Sequence, residues 1–199
     1  MKEFWNERYS EKEFAYGTKP NLFLAGQLEK LPAGKILFPC EGEGRNAVFA
    51  AKVGWETLAF DQSEEGLKKA ELLALQNKVS INYQIADALT VDYPAESFDA
   101  VALIFAHFPP KIRQTIHQKI VSWLKPGGIL ILEAFNPLQL NNTSGGPKDL
   151  SMLYTEEMLK EDFTSLKTQL LTSLNITLDE GKYHQGRADI VRYSGIKYK

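Results

Sequence analysis

Gly42 and Gly44, Asp61, Asp87, His107 and His184 are the residues whose types and spacing in this 199-residue chain can do chemistry. Both glycines lie in ILFPCEGEGRNA, residues 36–47, where three apolar strand formers run into a glycine turn and Asn46-Ala47-Val48-Phe49-Ala50-Ala51 reads as a helix start. Glycine suits such a turn because the backbone must bend sharply and let a ligand rest on bare main chain, with the N–H groups of the first helical turn facing it. A nucleotide-like ligand fits this geometry. Asp61 follows Gly44 by seventeen residues and ends the next strand, where a carboxylate accepts both ribose hydroxyls of a bound nucleoside; its other use is to cap the following helix. Asp87, in Ala86-Asp87-Ala88-Leu89, ends the strand after that, where an adenine's exocyclic amine would lie. His107 follows the fourth strand and His184 precedes the last one. Either is placed to be a general base, and the plain alternatives are a bond to a loop carbonyl and a solvated turn residue. Arg187 offers an oxyanion a partner, or forms a surface ion pair.

The elements that must position these residues alternate between strand and helix. An aromatic cluster, Phe4, Trp5, Tyr9, Phe14 and Tyr16, opens the chain as a flap over a ligand or as a helix packed on the sheet edge. Gly17 and Pro20 break it before a short helix over residues 21–31, and Pro32-Ala33-Gly34 turns into the first strand. Strands follow over 57–60, 81–85 and 98–105, the last almost wholly apolar, as a central parallel strand covered on both faces requires. Ser63 caps a helix running to about residue 77, and Pro109-Pro110 starts another that Lys125-Pro126-Gly127-Gly128 stops before a fifth strand at 129–132. The polar, glycine-rich stretch 136–149 reads as a long loop over the site, with Glu133 holding it. A helix at 155–163 and two β-rich runs, 168–178 and 188–193, finish the sheet as an antiparallel pair. The pattern predicts a Rossmann-like, doubly wound α/β fold: a seven-stranded, mostly parallel sheet with an antiparallel C-terminal strand in a three-layer sandwich. One domain is expected over 1–199, with an N-terminal flap and helix at 1–33, a ligand-binding core at 34–135, and a loop, helix and final hairpin at 136–199.

Gly42-x-Gly44-x-x-Ala47 alone also satisfies a dinucleotide fingerprint, and Tyr193-x-x-x-Lys197 mimics the pair of a nicotinamide-dependent oxidoreductase. That Tyr–Lys pair falls on a predicted strand rather than on a helix turn. The glycine loop, ribose acid, adenine acid and Leu124-Lys125-Pro126-Gly127-Gly128, taken in that order, resemble the class I S-adenosylmethionine-dependent methyltransferases. More narrowly, Phe4-Trp5-Asn6-Glu7-Arg8-Tyr9, Tyr16-Gly17-Thr18-Lys19-Pro20-Asn21 and Gly42-Glu43-Gly44-Arg45-Asn46 resemble the small bacterial branch that includes tellurite-resistance and thiopurine-type methyltransferases.

The resemblance implies S-adenosylmethionine as cofactor and S-adenosylhomocysteine as product. It places Tyr9, Tyr16, Glu41, Gly42, Glu43, Gly44, Arg45, Asn46, Asp61, Gln62, Ser63, Asp87, Ala88, Leu89, Phe105 and Ala106 around that cofactor, with His107, His184 and Arg187 on the catalytic side. It also implies a small-molecule methyl acceptor, a thiol or a chalcogen oxyanion. Two departures stand out: Phe38 replaces the usual acid of the first strand, and Cys40 the first glycine. Glu41 or Glu43 would then supply the missing carboxylate. A binder that has lost catalysis is the remaining alternative.

Composition narrows the field further. A net charge of −2 gives no basic footprint for nucleic acid, and 44% hydrophobic with 24% charged residues describes an ordinary globular chain. The single cysteine forbids an intrachain disulfide and fits a reducing cytoplasm, and no apolar run approaches a membrane span. His107, His117 and His184 have no metal-site spacing, so no metal is expected. The place after the fourth strand reads Phe105-Ala106-His107-Phe108-Pro109-Pro110, without the Asn/Asp-Pro-Pro-aromatic motif of nucleic-acid amino-methyltransferases. A monomer or weak homodimer is expected.

Overall fold

Strand-forming runs separated by amphipathic helices leave few ways to bury apolar surface, and the computed structural model, which describes residues 2–198, adopts one of them. Seven strands in the order β3-β2-β1-β4-β5-β7-β6 make a mixed sheet, mostly parallel, with helices around it. The chain packs as two compact units, one up to Val91 together with Glu180–Tyr183, the other Asp92–Asp179 together with the residues from His184 onward.

In the first unit, α1 (Lys2–Ser10) and α2 (Leu22–Leu28) precede β1 (Lys35–Pro39), α3 (Arg45–Lys52), β2 (Glu56–Asp61), α4 (Glu64–Gln76) and β3 (Asn82–Ile85). All three strands run parallel, Ile36 opposite Thr57 and Phe60 opposite Gln84. Ile36, Leu37 and Phe38 have no exposed surface, so Phe38 fills core where the resemblance expects an acid. Helix α4 starts where Ser63 Oγ accepts the Gly66 amide, and its Leu73 and Ala74 pack with Val48.

In the second unit, β4 (Phe98–Ile104) runs parallel to β5 (Leu124–Phe135), with α5 (Pro110–Trp123) between them in sequence. Two 3₁₀ turns, Pro137–Asn141 and Leu150–Met152, and α6 (Glu156–Asp162) lead into β6 (Leu166–Asp179) and β7 (Gln185–Lys197), an antiparallel hairpin whose β7 pairs with β5. The Leu124–Gly128 segment is not simply a helix stop. It is already strand, Phe98 lying opposite Leu124 and Ala100 opposite Ile129, so the extra residues form a bulge. A Cβ on Gly128 would come within 2.9 Å of Lys125 O and 3.1 Å of Phe98 O, which is why glycine stands there.

Residues 136–149, expected as a long loop, begin with a 3₁₀ turn and are bound to β7. Gln139 Oε1 accepts the Asp189 amide at 2.9 Å, Asn142 reaches Asp189 at 2.7 Å and Ser144 donates to Arg187 O at 2.5 Å, pinning the segment to β7. The Glu133 carboxylate, wholly buried, accepts Arg192 Nε at 2.6 Å from the facing position on β7. Among the described residues no helix is long and apolar enough to cross a membrane.

Candidate active site

The turn after β1 carries three left-handed residues, Cys40 (φ 56°), Gly42 (φ 65°) and Gly44 (φ 84°). Cys40 thus adopts the backbone of the glycine it replaces, at a cost of roughly 1–2 kcal/mol. The two glycines answer close packing as well as curvature: a Cβ on Gly42 would lie 2.5 Å from Tyr9 Oη, and one on Gly44 2.6 Å from Ala70 Cβ. Helices α1 and α4 therefore press on the turn directly. The amides of Glu43, Gly44 and Arg45 donate to no protein acceptor among the described residues, although all three residues are buried. A closed turn with unpaired amides is built to receive an acceptor.

Its side chains mostly look elsewhere. Glu41 Oε1 accepts the Asn46 and Ala47 amides at 2.8 Å each, so it caps α3 and takes the first-turn donors that the sequence assigns to the ligand. Burial pushes its carboxyl up to about 7, against the pull of those bonds. Glu43 accepts from the Ala15 amide and Lys69 Nζ, Asn46 Oδ1 accepts the Asn21 amide, and Arg45 reaches Tyr16 O and Glu180. These three anchor the chain around residues 15–21.

Asp61 ends β2 and is almost wholly buried, accepting the Ser63 amide at 2.9 Å and the Gly42 amide at 3.2 Å. Burial pushes its carboxyl up to about 6 while the main-chain donors oppose. All its described partners are main chain, and among the described residues no cation pairs with it. Tyr9 is buried beside it, stacked on Trp5 at 5.4 Å, and its hydroxyl bonds to nothing among the described residues. Burial first, then the Asp61 charge, holds the phenol well above its usual range, so it stays protonated. Tyr16 is half-buried, with Arg8 at 3.2 Å from its hydroxyl. Sequence reading missed Tyr83, whose hydroxyl donates to Gly42 O at 2.6 Å; a lone aromatic between Asn82 and Gln84 was the signal. Ser63 is a cap that also bonds Asn6, and Gln62 is half-buried. Asp87 is exposed and accepts the Leu89 amide at 2.8 Å, with Ala88 half-buried and Leu89 exposed.

In the second unit, Phe105 leaves β4 in the left-handed region (φ 54°), unusual for a bulky residue and a form of strain that collects at working sites. Its ring lies 4.6 Å from Phe135 and 4.6 Å from the edge-on His184, and Ala106 beside it is buried. His107 stacks on the same Phe135 at 5.9 Å. Both its ring nitrogens are committed: Nδ1 donates to Met152 O at 2.7 Å, so Nε2 accepts the Phe135 amide at 3.2 Å. Burial pushes its pKa down to about 4, and it is neutral near pH 7. The structure thus brings His107, His184, Phe105 and Phe135 together but leaves Arg187 exposed on β7, opposite Thr177.

Residues 36–128 match a family model described as a methyltransferase domain. The chain is 28% identical over 173 residues to glycine N-methyltransferase of Mus musculus, covering 79% of this chain and 59% of that protein. It is 30% identical over 135 residues to probable thiol methyltransferase 2 of Arabidopsis thaliana, covering 65% and 58%. The matches span about three fifths of these relatives' length. A structure described as a SAM-dependent methyltransferase from Methanosarcina mazei superposes with a TM-score of 0.69 at 16% identity, over 90% of this chain and 99% of that one. The chain is thus similar to a methyltransferase domain over residues 36–128, which hold the glycine turn and the buried Asp61, and its mixed seven-stranded sheet shares the fold of the Methanosarcina mazei structure.

Proposed function

We propose that the protein is a methyltransferase that uses S-adenosylmethionine to methylate a small-molecule nucleophile, a thiol or a chalcogen oxyanion. The observation that carries this reading is the turn after β1, where the amides of the buried Glu43, Gly44 and Arg45, unpaired among the described residues, accompany a buried carboxylate, Asp61, that has no cationic partner among those residues. This donor and acceptor set fits the cofactor. Asp61 would hold the ribose hydroxyls, the amides of Glu43, Gly44 and Arg45 would meet an anionic or carbonyl group, and the Tyr9 hydroxyl is in reserve as a donor. When bound, the cofactor supplies an electrophilic sulfonium methyl group.

The protein's own part is placement and exclusion of water, since in-line attack on such a methyl asks little of side chains. Phe105, Phe135 and His184 form an aromatic wall, which suits a polarisable, weakly hydrated nucleophile, and the likeness to a thiol methyltransferase supports the same class. His107 keeps its protonation fixed by its two bonds, so His184 is the histidine to test as base. The net charge of −2 and the single cysteine support a small, non-nucleic-acid acceptor and a reducing, cytoplasmic setting.

The test is calorimetric titration with S-adenosylhomocysteine and with NADH, followed by transfer of labelled methyl to a panel of thiols and selenium or tellurium oxyanions. Asp61→Asn should weaken S-adenosylhomocysteine binding about tenfold to a hundredfold, corresponding to about 1.5–3 kcal/mol for charge-assisted hydrogen bonds. Binding of NADH alone would overturn the reading, and binding without transfer to any acceptor would make the protein a silent cofactor binder.

A further inference from the structure

The glycine turn holds more negative charge than its own cations neutralise. Both oxygens of Glu43 are spent, Oε1 on Lys69 Nζ at 2.7 Å and Oε2 on the Ala15 amide at 2.8 Å. Arg45 gives its guanidinium to Tyr16 O, Lys19 O and the Glu180 carboxylate. Glu41 is left. Its Oε1 takes the Asn46 and Ala47 amides at 2.8 Å each, and among the described residues its Oε2 takes no main-chain donor and no cation. Burial acts on this carboxyl first, and the Arg45 charge and the Asn46 side chain oppose it without forming an ion pair. Such a carboxylate is costly to hold as an anion until a positive group arrives. Glu41 is half-buried rather than sealed, so its second oxygen is open to one.

What stands beside it says what that group belongs to. Oε1 bonds the Asn46 amide, which follows directly on the amides of Glu43, Gly44 and Arg45 that donate to no described acceptor. An anionic oxygen next to a row of open N–H donors complements a ligand that carries a cation and an anion on neighbouring atoms, which is the make-up of an α-amino acid. We propose that Glu41 is the counter-charge for the ammonium of the cofactor's amino-acid end, whose carboxylate meets the amides of Glu43, Gly44 and Arg45. The proposal rests on the cofactor reading above. It chooses between the two acids that the sequence leaves open: Glu43 is neutralised by Lys69, and Phe38 lies wholly inside the core.

A proton-linked consequence follows, since burial pushes the Glu41 carboxyl up to about 7. Of the charged and titratable groups around it, Arg45 from α3 keeps its charge, and the Tyr83 phenol from β3 and the Cys40 thiol of the turn keep their protons because burial raises both. Asp61 from β2 titrates at about 6, but it faces the nucleoside part of the ligand.

The test is calorimetric titration of the whole chain with S-adenosylhomocysteine and with methylthioadenosine, which keeps the adenine, ribose and thioether but lacks the amino-acid end. In Glu41→Gln the side-chain carbonyl still accepts the Asn46 and Ala47 amides, so α3 stays capped while the charge is gone. At about pH 8 this variant should bind S-adenosylhomocysteine about tenfold to a hundredfold more weakly and methylthioadenosine as tightly as the wild type does. A second arm needs no variant: the wild-type preference for S-adenosylhomocysteine over methylthioadenosine should rise from about pH 6 to about pH 8 as Glu41 ionises, Asp61 cancelling because both ligands carry the ribose. In Glu41→Gln that preference should stay flat. A preference that neither pH nor Glu41→Gln alters would overturn the proposal and leave the cofactor reading standing, whereas a wild type that binds neither ligand would overturn both.

Discussion

His107 shows how a residue's type misleads until its partners are known. A histidine at the end of β4 has the chemistry of a base, yet its Nδ1–H is spent on Met152 O and its Nε2 lone pair on the Phe135 amide, so no proton can be taken without breaking a bond. Replacing it by alanine orphans a carbonyl and an amide in a buried place, and His107→Ala should cost about 1–3 kcal/mol in urea denaturation. Because burial holds its ionisation down at about 4, an activity profile should carry no inflection near neutrality that disappears in this variant. Cys40 makes the converse point. Its type departs from the glycine that the resemblance expects, but its backbone does not, and burial with the Asp61 and Asp87 charges holds its thiol well above the usual range and therefore unreactive.

Among the elements, the segment between α1 and α2 is the one whose role changes most. Sequence alone leaves it either a flap or a packed piece, and the structure shows it stapled at several points. Glu43 takes the Ala15 amide, Arg45 takes Tyr16 O and Lys19 O, and the β6–β7 turn clasps it from the far end of the chain. There Tyr183 donates to Glu11, Arg8 lies 3.7 Å over the Tyr183 ring, and Glu180 meets Arg45 at 2.8 Å and Asn21 at 3.3 Å. The Arg45–Glu180 pair has side chains only 8% and 12% exposed, so removing one partner leaves a charge largely buried. Glu180→Ala should therefore cost about 3 kcal/mol, read from the urea midpoint, and should speed tryptic cleavage after Lys12 and Lys19. An unchanged midpoint and cleavage rate would show that the turn merely rests against the segment.

At the scale of the whole molecule, the glycine turn puts a pH dependence into folding. Glu41 goes from 4.5 in the open chain to about 7 when folded, so between those values the folded protein holds the extra proton. Stability from this group is complete below about pH 4.5 and is lost as pH rises through 7, by about 3 kcal/mol in all. Buried His107 works the other way, its folded pKa being lowered, so its contribution is present above about 6.5 and lost as pH falls towards 4. The two oppose each other in the wild type, and the difference between wild type and Glu41→Gln isolates the carboxyl. That difference in unfolding free energy should move by about 3 kcal/mol in favour of the variant from pH 4 to pH 8, measured by urea denaturation at each pH. The order of strands and helices, the cap at Ser63, the glycine turn with Asp61 and the terminal hairpin were determined by the sequence itself, because periodicity, capping and turn chemistry act over a few residues. Strand status for Leu124–Gly128, the fixing of residues 136–149 on β7, the neutral role of His107 and the arrival of Tyr83 and Glu180 at the glycine turn were decided only by tertiary structure. Each depends on a partner 26 to 135 residues away, and no local rule of chain geometry states which distant side chain will arrive.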